Sequence, residues 1–137
     1  MTIVFSPNSD SIDWSALRND LINDDFHNNR TTTELERSFR NSFVCAYAIE
    51  DSRCIGTARA LSDGVCNCYV VDVWTQSAFR KRGIASRLMQ MIIDAVPGQH
   101  IYLQTDDAQE FYKKLGFEYQ PDGMFLISGQ WLNPTRR

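Results

Sequence analysis

Apolar positions repeat at helical spacing over Trp14, Leu17, Leu21 and Ile22, then give way to β-branched and aromatic runs at residues 43–49, 54–61 and 69–75. Helical spacing returns at Ile84, Leu88, Met91, Ile92 and Ala95 and stops at Pro97-Gly98. Ahead of the first helix, a short strand at residues 3–5 ends before Pro7, and Ser11 or Asp13 can cap the helix. The polar stretch 24–30 reads as a loop. Residues 33–39, with Glu34 and Glu36 early and Arg37 and Arg40 late, suit a second short helix in the field of its own dipole. Runs 43–49 and 54–61, joined by the turn at residues 50–53, form a predicted hairpin. After the Asp63-Gly64 turn and the run at 69–75, the spacing predicts a strand at 101–104, a helix at 107–115, and a last strand pair at 117–119 and 124–128. The predicted order is β-α-α-β-β-β-α-β-α-β-β, with residues 133–137 as a disordered tail.

Size changes the picture by limiting it. The chain has 137 residues, 43% of them hydrophobic, enough for one sizeable core and too few for two ordinary domains, so residues 1–132 are expected to form one domain. No apolar run is long enough to cross a membrane, and the N-terminus lacks the pattern of a signal peptide, which makes a cytoplasmic protein the expectation. A net charge of −3 argues against a general nucleic-acid or anionic-membrane binder while leaving room for one local basic patch. Cys45, Cys54, Cys66 and Cys68 lie in or beside predicted strands; Cys66 and Cys68 share a strand face, a poor geometry for a disulfide, and all four read as reduced, structural thiols. His27 and His100 show no ligand spacing with them, so no metal is expected.

The basic patch is Arg80, Lys81 and Arg82, followed by Gly83, Ile84, Ala85 and Ser86, between the most apolar strand and a strongly amphipathic helix. The first turn of a helix offers unpaired N–H groups and the positive end of the macrodipole, and Gly83 removes the Cβ that would block close approach. An anion belongs there. The plain alternative is a solvated basic turn.

The same residues carry a family resemblance. Arg80-x-x-Gly83-x-Ala85, preceded by Phe79, resembles the pyrophosphate signature of the GNAT superfamily of acetyl-CoA-dependent N-acetyltransferases, with Ala85 at its second glycine. Downstream, Ala108, Phe111, Tyr112, Leu115, Gly116 and Phe117 resemble the superfamily's Ala-x-x-Phe-Tyr-x-x-Leu-Gly-Phe segment. Together the motifs cover the chain from Tyr69 onward; the first half fits by element order. The resemblance implies an α/β (α+β) fold, a mixed, twisted sheet of about six to seven strands flanked by about four helices, with central strands that splay to admit acetyl-CoA.

The resemblance also distributes roles. The backbone of Val73, Trp74 and Thr75 would pair with the pantetheine arm and polarise the thioester, and the N–H groups of residues 81–86, with Arg80 and Arg82, would hold the pyrophosphate. Thr105 stands where many members have an Asn that meets the cofactor. Tyr112 matches the tyrosine that protonates the departing thiolate. Asp72, inside the most apolar strand, resembles an acidic residue of polyamine acetyltransferases and is expected either to orient or, through water, deprotonate an ammonium substrate, or to serve as a buried acceptor for loop N–H groups. Asp106 and Asp107 are expected to cap the second motif helix, with Thr105 as a further cap. Trp14, Phe26 and Trp74 read as core aromatics, with a pocket wall as the alternative.

The expected activity is acetyl transfer to a primary amine, a small cationic one by the acidic charge and Asp72, by direct attack in a ternary complex. Two readings compete with it: a CoA-binding module without catalysis, and a phosphate binder unrelated to CoA, the latter weakened by the absence of Gly-x-x-x-x-Gly-Lys-Ser/Thr and Gly-x-Gly-x-x-Gly. Homodimerisation through residues 125–131 is a further implication of the resemblance.

Overall fold

The computed structural model describes residues 2–133, so the tail expected at 133–137 lies outside the described residues except for Asn133, which is buried. The chain divides into two compact units, residues 1–103 and 104–137.

In the first unit, β1 (Val4–Ser6), β2 (Val44–Glu50), β3 (Arg53–Ser62), β4 (Asn67–Thr75) and β5 (His100–Tyr102) form one sheet in chain order. Each neighbour pair is antiparallel except β4 with β5, which is parallel. The hairpin between β2 and β3 turns through Asp51 and Ser52, both left-handed, at φ of 49° and 65°. Two left-handed central residues match the right-handed twist of the strands they join. Asp63 organises the next turn, its Oδ1 accepting the N–H groups of Val65, Cys66 and Asn67. These three hydrogen bonds favour the carboxylate and bring its pKa down to about 2.

The helices cover opposite faces of this sheet. Asp13 caps α1 (Trp14–Asn23) by accepting the Ala16 N–H, and Thr31 and Glu34 cap α2 (Thr32–Arg40) reciprocally. Their buried stripe, Trp14, Leu17, Leu21, Leu35 and Phe39, packs on Cys45, Tyr47, Cys54 and Trp74. Trp14 and Trp74 are therefore core residues, and Phe26 is half-buried against the same cluster. The opposite face bears Ala46, Ala48, Ala58 and Ala60, all with no exposed surface, and Gly56. A Cβ on Gly56 would stand 3.1 Å from both Ile84 and Leu88 of α3 (Ile84–Ala95). Small residues there let α3 seat close against the strands.

The second unit holds α4 (Gln109–Lys114). The strand pair expected at 117–119 and 124–128 does not form, so the described residues contain five strands instead of six to seven, with four helices. Apolar alternation marked those segments as strands, but a strand exists only where a neighbour takes its N–H and C=O groups. Met124, Phe125 and Leu126 stand largely in solvent. Cys45, Cys54 and Cys68 are buried and Cys66 is exposed, and all four are free thiols. Burial pushes the Cys54 thiol up to about 12 and keeps it unreactive at neutral pH.

Candidate active site

The site in the first unit begins where β4 loses its partner. Parallel pairing with β5 covers only Asn67, Cys68 and Tyr69, so Val70–Thr75 run on without a strand on that side. Across the sheet, β4 carries one extra residue: Thr57 pairs with Trp74 but Arg59 with Val71. The extra residue makes a β-bulge, and Asp72 within it is left-handed at φ 55°. The bulge turns the backbone at Asp72 and Val73, and pairing with β3 resumes at Trp74 and Thr75. Open N–H and C=O groups along this edge are a template for an extended ligand. Trp74 contributes backbone alone, because its indole is buried and its Nε1–H donates to Asp24 at 2.9 Å.

After β4 the chain turns through residues 77–79 into the basic loop. Lys81 and Gly83 are left-handed, at φ 66° and 78°. Gly83 is the N-cap of α3, with no side-chain cap bond, and nothing lies within 4 Å of where its Cβ would stand. The first turn of α3 thus has no side-chain cap and room beside Gly83, with Ala85 and Ser86 on that turn and Ile84 buried as the anchor that fixes the helix to the sheet. Arg80 and Arg82 are exposed; Arg80 Nε donates to the Thr75 carbonyl at 3.2 Å, and Arg82 lies over the Phe79 ring. Sequence and structure agree on the strand, the basic turn, the glycine and the helix that follows it.

Asp72 is a buried acceptor, with arginine side chains in place of the expected loop N–H groups. Arg30 donates to both its oxygens, at 2.9 and 3.0 Å, and Arg59 Nε adds a third bond at 2.6 Å. Its side chain is 6% exposed. Burial raises the carboxyl's pKa, and the hydrogen bonds and charges of Arg30 and Arg59 more than offset that, so the group stays below its ordinary value. A carboxylate so occupied is a weak base and a poor anchor for an ammonium. Its partners are arginine side chains, not loop N–H groups, and its own carbonyl accepts the Thr57 hydroxyl at 2.8 Å. The geometry is that of a clasp holding the bulge.

Asp24 is the residue that the sequence pattern did not single out. Its Oδ2 accepts from the Trp74 indole and the Ser77 N–H and lies 3.7 Å from the Arg80 guanidinium. A carboxylate at the C-terminal end of α1 opposes the helix dipole, and that misplacement is the signal that the tertiary contacts explain. Arg30 and Arg59 were equally unmarked, since a lone arginine in a polar loop or on a strand looks solvated.

In the second unit, Tyr112 is buried, packed edge-on against Phe111 and Phe117. Burial, with the nearby Asp107 charge, pushes its phenol up to about 12. Thr105 Oγ1 accepts the Ala108 N–H at 3.1 Å, so Thr105, rather than Asp106 or Asp107, closes the turn into α4. The same hydroxyl donates to Asp107 Oδ1 at 3.4 Å, so it is engaged both as acceptor and as donor.

Three observations within the first unit fit acetyl-CoA: the unpaired edge of β4, the open uncapped turn at Gly83, and the Thr75 hydroxyl, buried without a hydrogen-bond partner. Among the described residues no group of His, Cys, Asp and Glu could hold a metal ion. No described helix is long and apolar enough to cross a membrane.

Comparison with known proteins agrees with this geometry. Histone acetyltransferase TAP1 of Glycine max is 31% identical over 121 residues, 77% of this chain and 51% of the relative. The chain thus spans about half the length of the curated relatives it matches. A GNAT-family protein of Xanthomonas campestris pv. campestris superposes with a TM-score of 0.80 at 23% identity, covering 93% of this chain and 94% of that one. A Clostridium acetobutylicum protein solved with acetyl-CoA gives a TM-score of 0.70 at 21% identity over 92% and 96% of the two chains. With the Acetyltransferase (GNAT) family model matching residues 10–117, from α1 through the second motif, the chain belongs to the GNAT family of acetyltransferases.

Proposed function

We propose that the protein transfers the acetyl group of acetyl-CoA to a primary amine by direct attack in a ternary complex. The observation that carries the reading is the adjacency, within one unit, of an open β4 edge and the uncapped start of α3. An extended arm and a diphosphate would be held side by side. Val73, Trp74 and Thr75 would supply backbone partners to the arm and one N–H to polarise the thioester carbonyl. Residues 81–86 would supply N–H groups to the pyrophosphate, with Arg80 and Arg82 as charged donors.

The amine nitrogen forms the new C–N bond as the C–S bond breaks; it loses one proton, and the leaving sulfur gains one. Tyr112 is the candidate donor. Held near 12, its phenol stays protonated at neutral pH. A complete transfer to a free thiolate of ordinary pKa, about 8.5, is uphill by roughly 5 kcal/mol, so the step runs to completion only as the phenolate takes back the proton that the amine sheds.

For the acceptor, a net charge of −3 supports a small cationic amine, whereas Asp72, held by two arginines, adds nothing to that case. A lysine side chain of a protein is the second reading, favoured by the name of the Glycine max relative. A homodimer through residues 125–131 is supported by the exposure of Phe125 and Leu126; a monomeric mass in sedimentation at micromolar concentration would refute it.

The test is free-thiol release from acetyl-CoA across putrescine, kanamycin, phenethylamine, lysine and a lysine-rich peptide, with wild type beside Tyr112→Phe. Turnover with one class, reduced about 10–100-fold in kcat by the variant, is the expected result. Tight CoA binding with no turnover on any amine would replace the enzyme by a CoA-binding module.

A further inference from the structure

Besides Thr75, two side chains bury a polar atom with no partner among the described residues: Nδ1 of His27 and Oε1 of Gln76. Both fall where the connection between α1 and α2 crosses the end of β4. His27 lies between Asp24 and Arg30, which tie that connection to Trp74, Ser77 and Asp72. Gln76 lies between Trp74 and Ser77, and it shares the side of the extended chain on which Trp74 meets Asp24. Thr75 points the other way, since its partner Gly56 faces α3.

The crossing is costly to build. Asp25, Asn28 and Asn29 are left-handed, at φ of 53°, 53° and 58°, around a histidine whose carbonyl is taken by Arg30 Nε. A buried polar atom without a partner is unfavourable in itself. Two such atoms, one in the connection clasped at both ends and one just past the end of β4, leave places for hydrogen-bond partners that the described residues do not supply. With its proton on Nε2, the His27 ring accepts at Nδ1, and the Gln76 carbonyl oxygen is also an acceptor. The missing ligand is therefore a donor, and Gln76 directly follows the last residue of the open β4 edge.

We propose that His27 Nδ1 and Gln76 Oε1 receive the N–H groups of the acceptor amine and fix its nitrogen at the end of that edge. The inference rests on the acetyl-transfer reading and adds to it the residues that select a primary amine, which offers two N–H groups where a tertiary amine offers none.

The experiment takes the best amine from the panel above and compares His27→Ala, His27→Asn and Gln76→Leu with wild type at saturating acetyl-CoA. His27→Ala is expected to lower kcat/KM for the amine at least tenfold with the KM for acetyl-CoA within twofold. Asn, whose amide can stand in for Nδ1, is expected to recover part of the loss, and Gln76→Leu to raise the amine KM about fivefold. The chain has two histidines, so the ring nitrogens of His27 can be followed by ¹⁵N NMR with His100→Gln as the assignment. Adding the amine to the CoA complex is expected to move the His27 Nδ1 signal and leave that of His100 in place. An active wild type whose amine kcat/KM is unchanged in the variants, with a stationary Nδ1 signal, overturns this inference alone. A wild type that binds CoA and turns over none of the amines overturns the acetyl-transfer reading and this one with it. Thermal melts by circular dichroism separate loss of fold from loss of contact.

Discussion

The two faces of the sheet are built on opposite principles. Under α3 the strands present alanines and Gly56, and the contact is dry, apolar and close. Under α1 and α2 they present Tyr47, Trp74, Arg59 and Asp72, and the contact is a mixture of aromatic packing and buried charge. The difference follows from what each face has to position. A rigid apolar seat suffices to aim the first turn of α3, because its N–H groups are fixed by the helix itself. A bulged strand and a polar connection have no ladder of their own at that point, so side-chain bonds from Arg30, Arg59 and Asp24 hold them in place.

The largest effect is expected from cutting the clasp. Asp72→Asn is expected to cost roughly 3–5 kcal/mol in urea unfolding at pH 7, because it leaves two guanidiniums without a buried counter-charge. The folded carboxyl titrates below its ordinary value of about 3.9. Its stabilisation is therefore complete above about pH 4 and lost as the pH falls through the folded value. The gap between wild type and Asp72→Asn should stay constant from pH 7 down to about 5 and close below 4; a gap that closes near pH 6 would assign the clasp to another group.

On the dry face, Gly56→Val is expected to cost about 2 kcal/mol, or about 5–10 °C in Tm, by overpacking against Ile84 and Leu88. Its loss should show no dependence on pH between 4 and 8, in contrast with Asp72→Asn. Gly83→Val forces a β-branched residue to φ 78° and is expected to cost about 1–2 kcal/mol. Calorimetric CoA affinity should fall about tenfold with it, and equal affinity would remove the loop from the cofactor site. The smallest effect belongs to Arg80→Ala, an exposed cation with only a carbonyl bond and a 3.7 Å approach to Asp24. About a fivefold loss of CoA affinity at low salt, vanishing near 0.5 M salt, would mark it as a screened contact.

Local rules made much of this molecule readable. The hairpin of β2 and β3 falls where alternation and a polar turn placed it, and Asp13 and Thr31 cap helices that begin one residue later. The basic loop before α3 was legible because its signal is contiguous: strand, basic turn, glycine, amphipathic helix. The last strand pair was not, because alternation reports which residues favour a pleated surface and not whether a partner strand is present. His27, Arg30 and Asp24 looked like solvated loop residues for the same reason, since a polar stretch of sequence carries no mark of what it will touch.

What the sequence determined by itself is therefore the set of contiguous features: the periods of the helices, the turns, the caps, and a Gly-bearing loop before a helix with a second motif downstream. Each depends on interactions within a few residues, so composition and spacing contain the whole cause. Only the tertiary structure decided that Asp72 is clasped by Arg30 and Arg59, across 42 and 13 residues of chain. The same holds for Asp24, which reaches 50 residues to Trp74, and for the edge of β4, which stays open beyond Tyr69. Those contacts are set by the closure of long loops around a shared core, and their energies exist only once the distant partner has arrived.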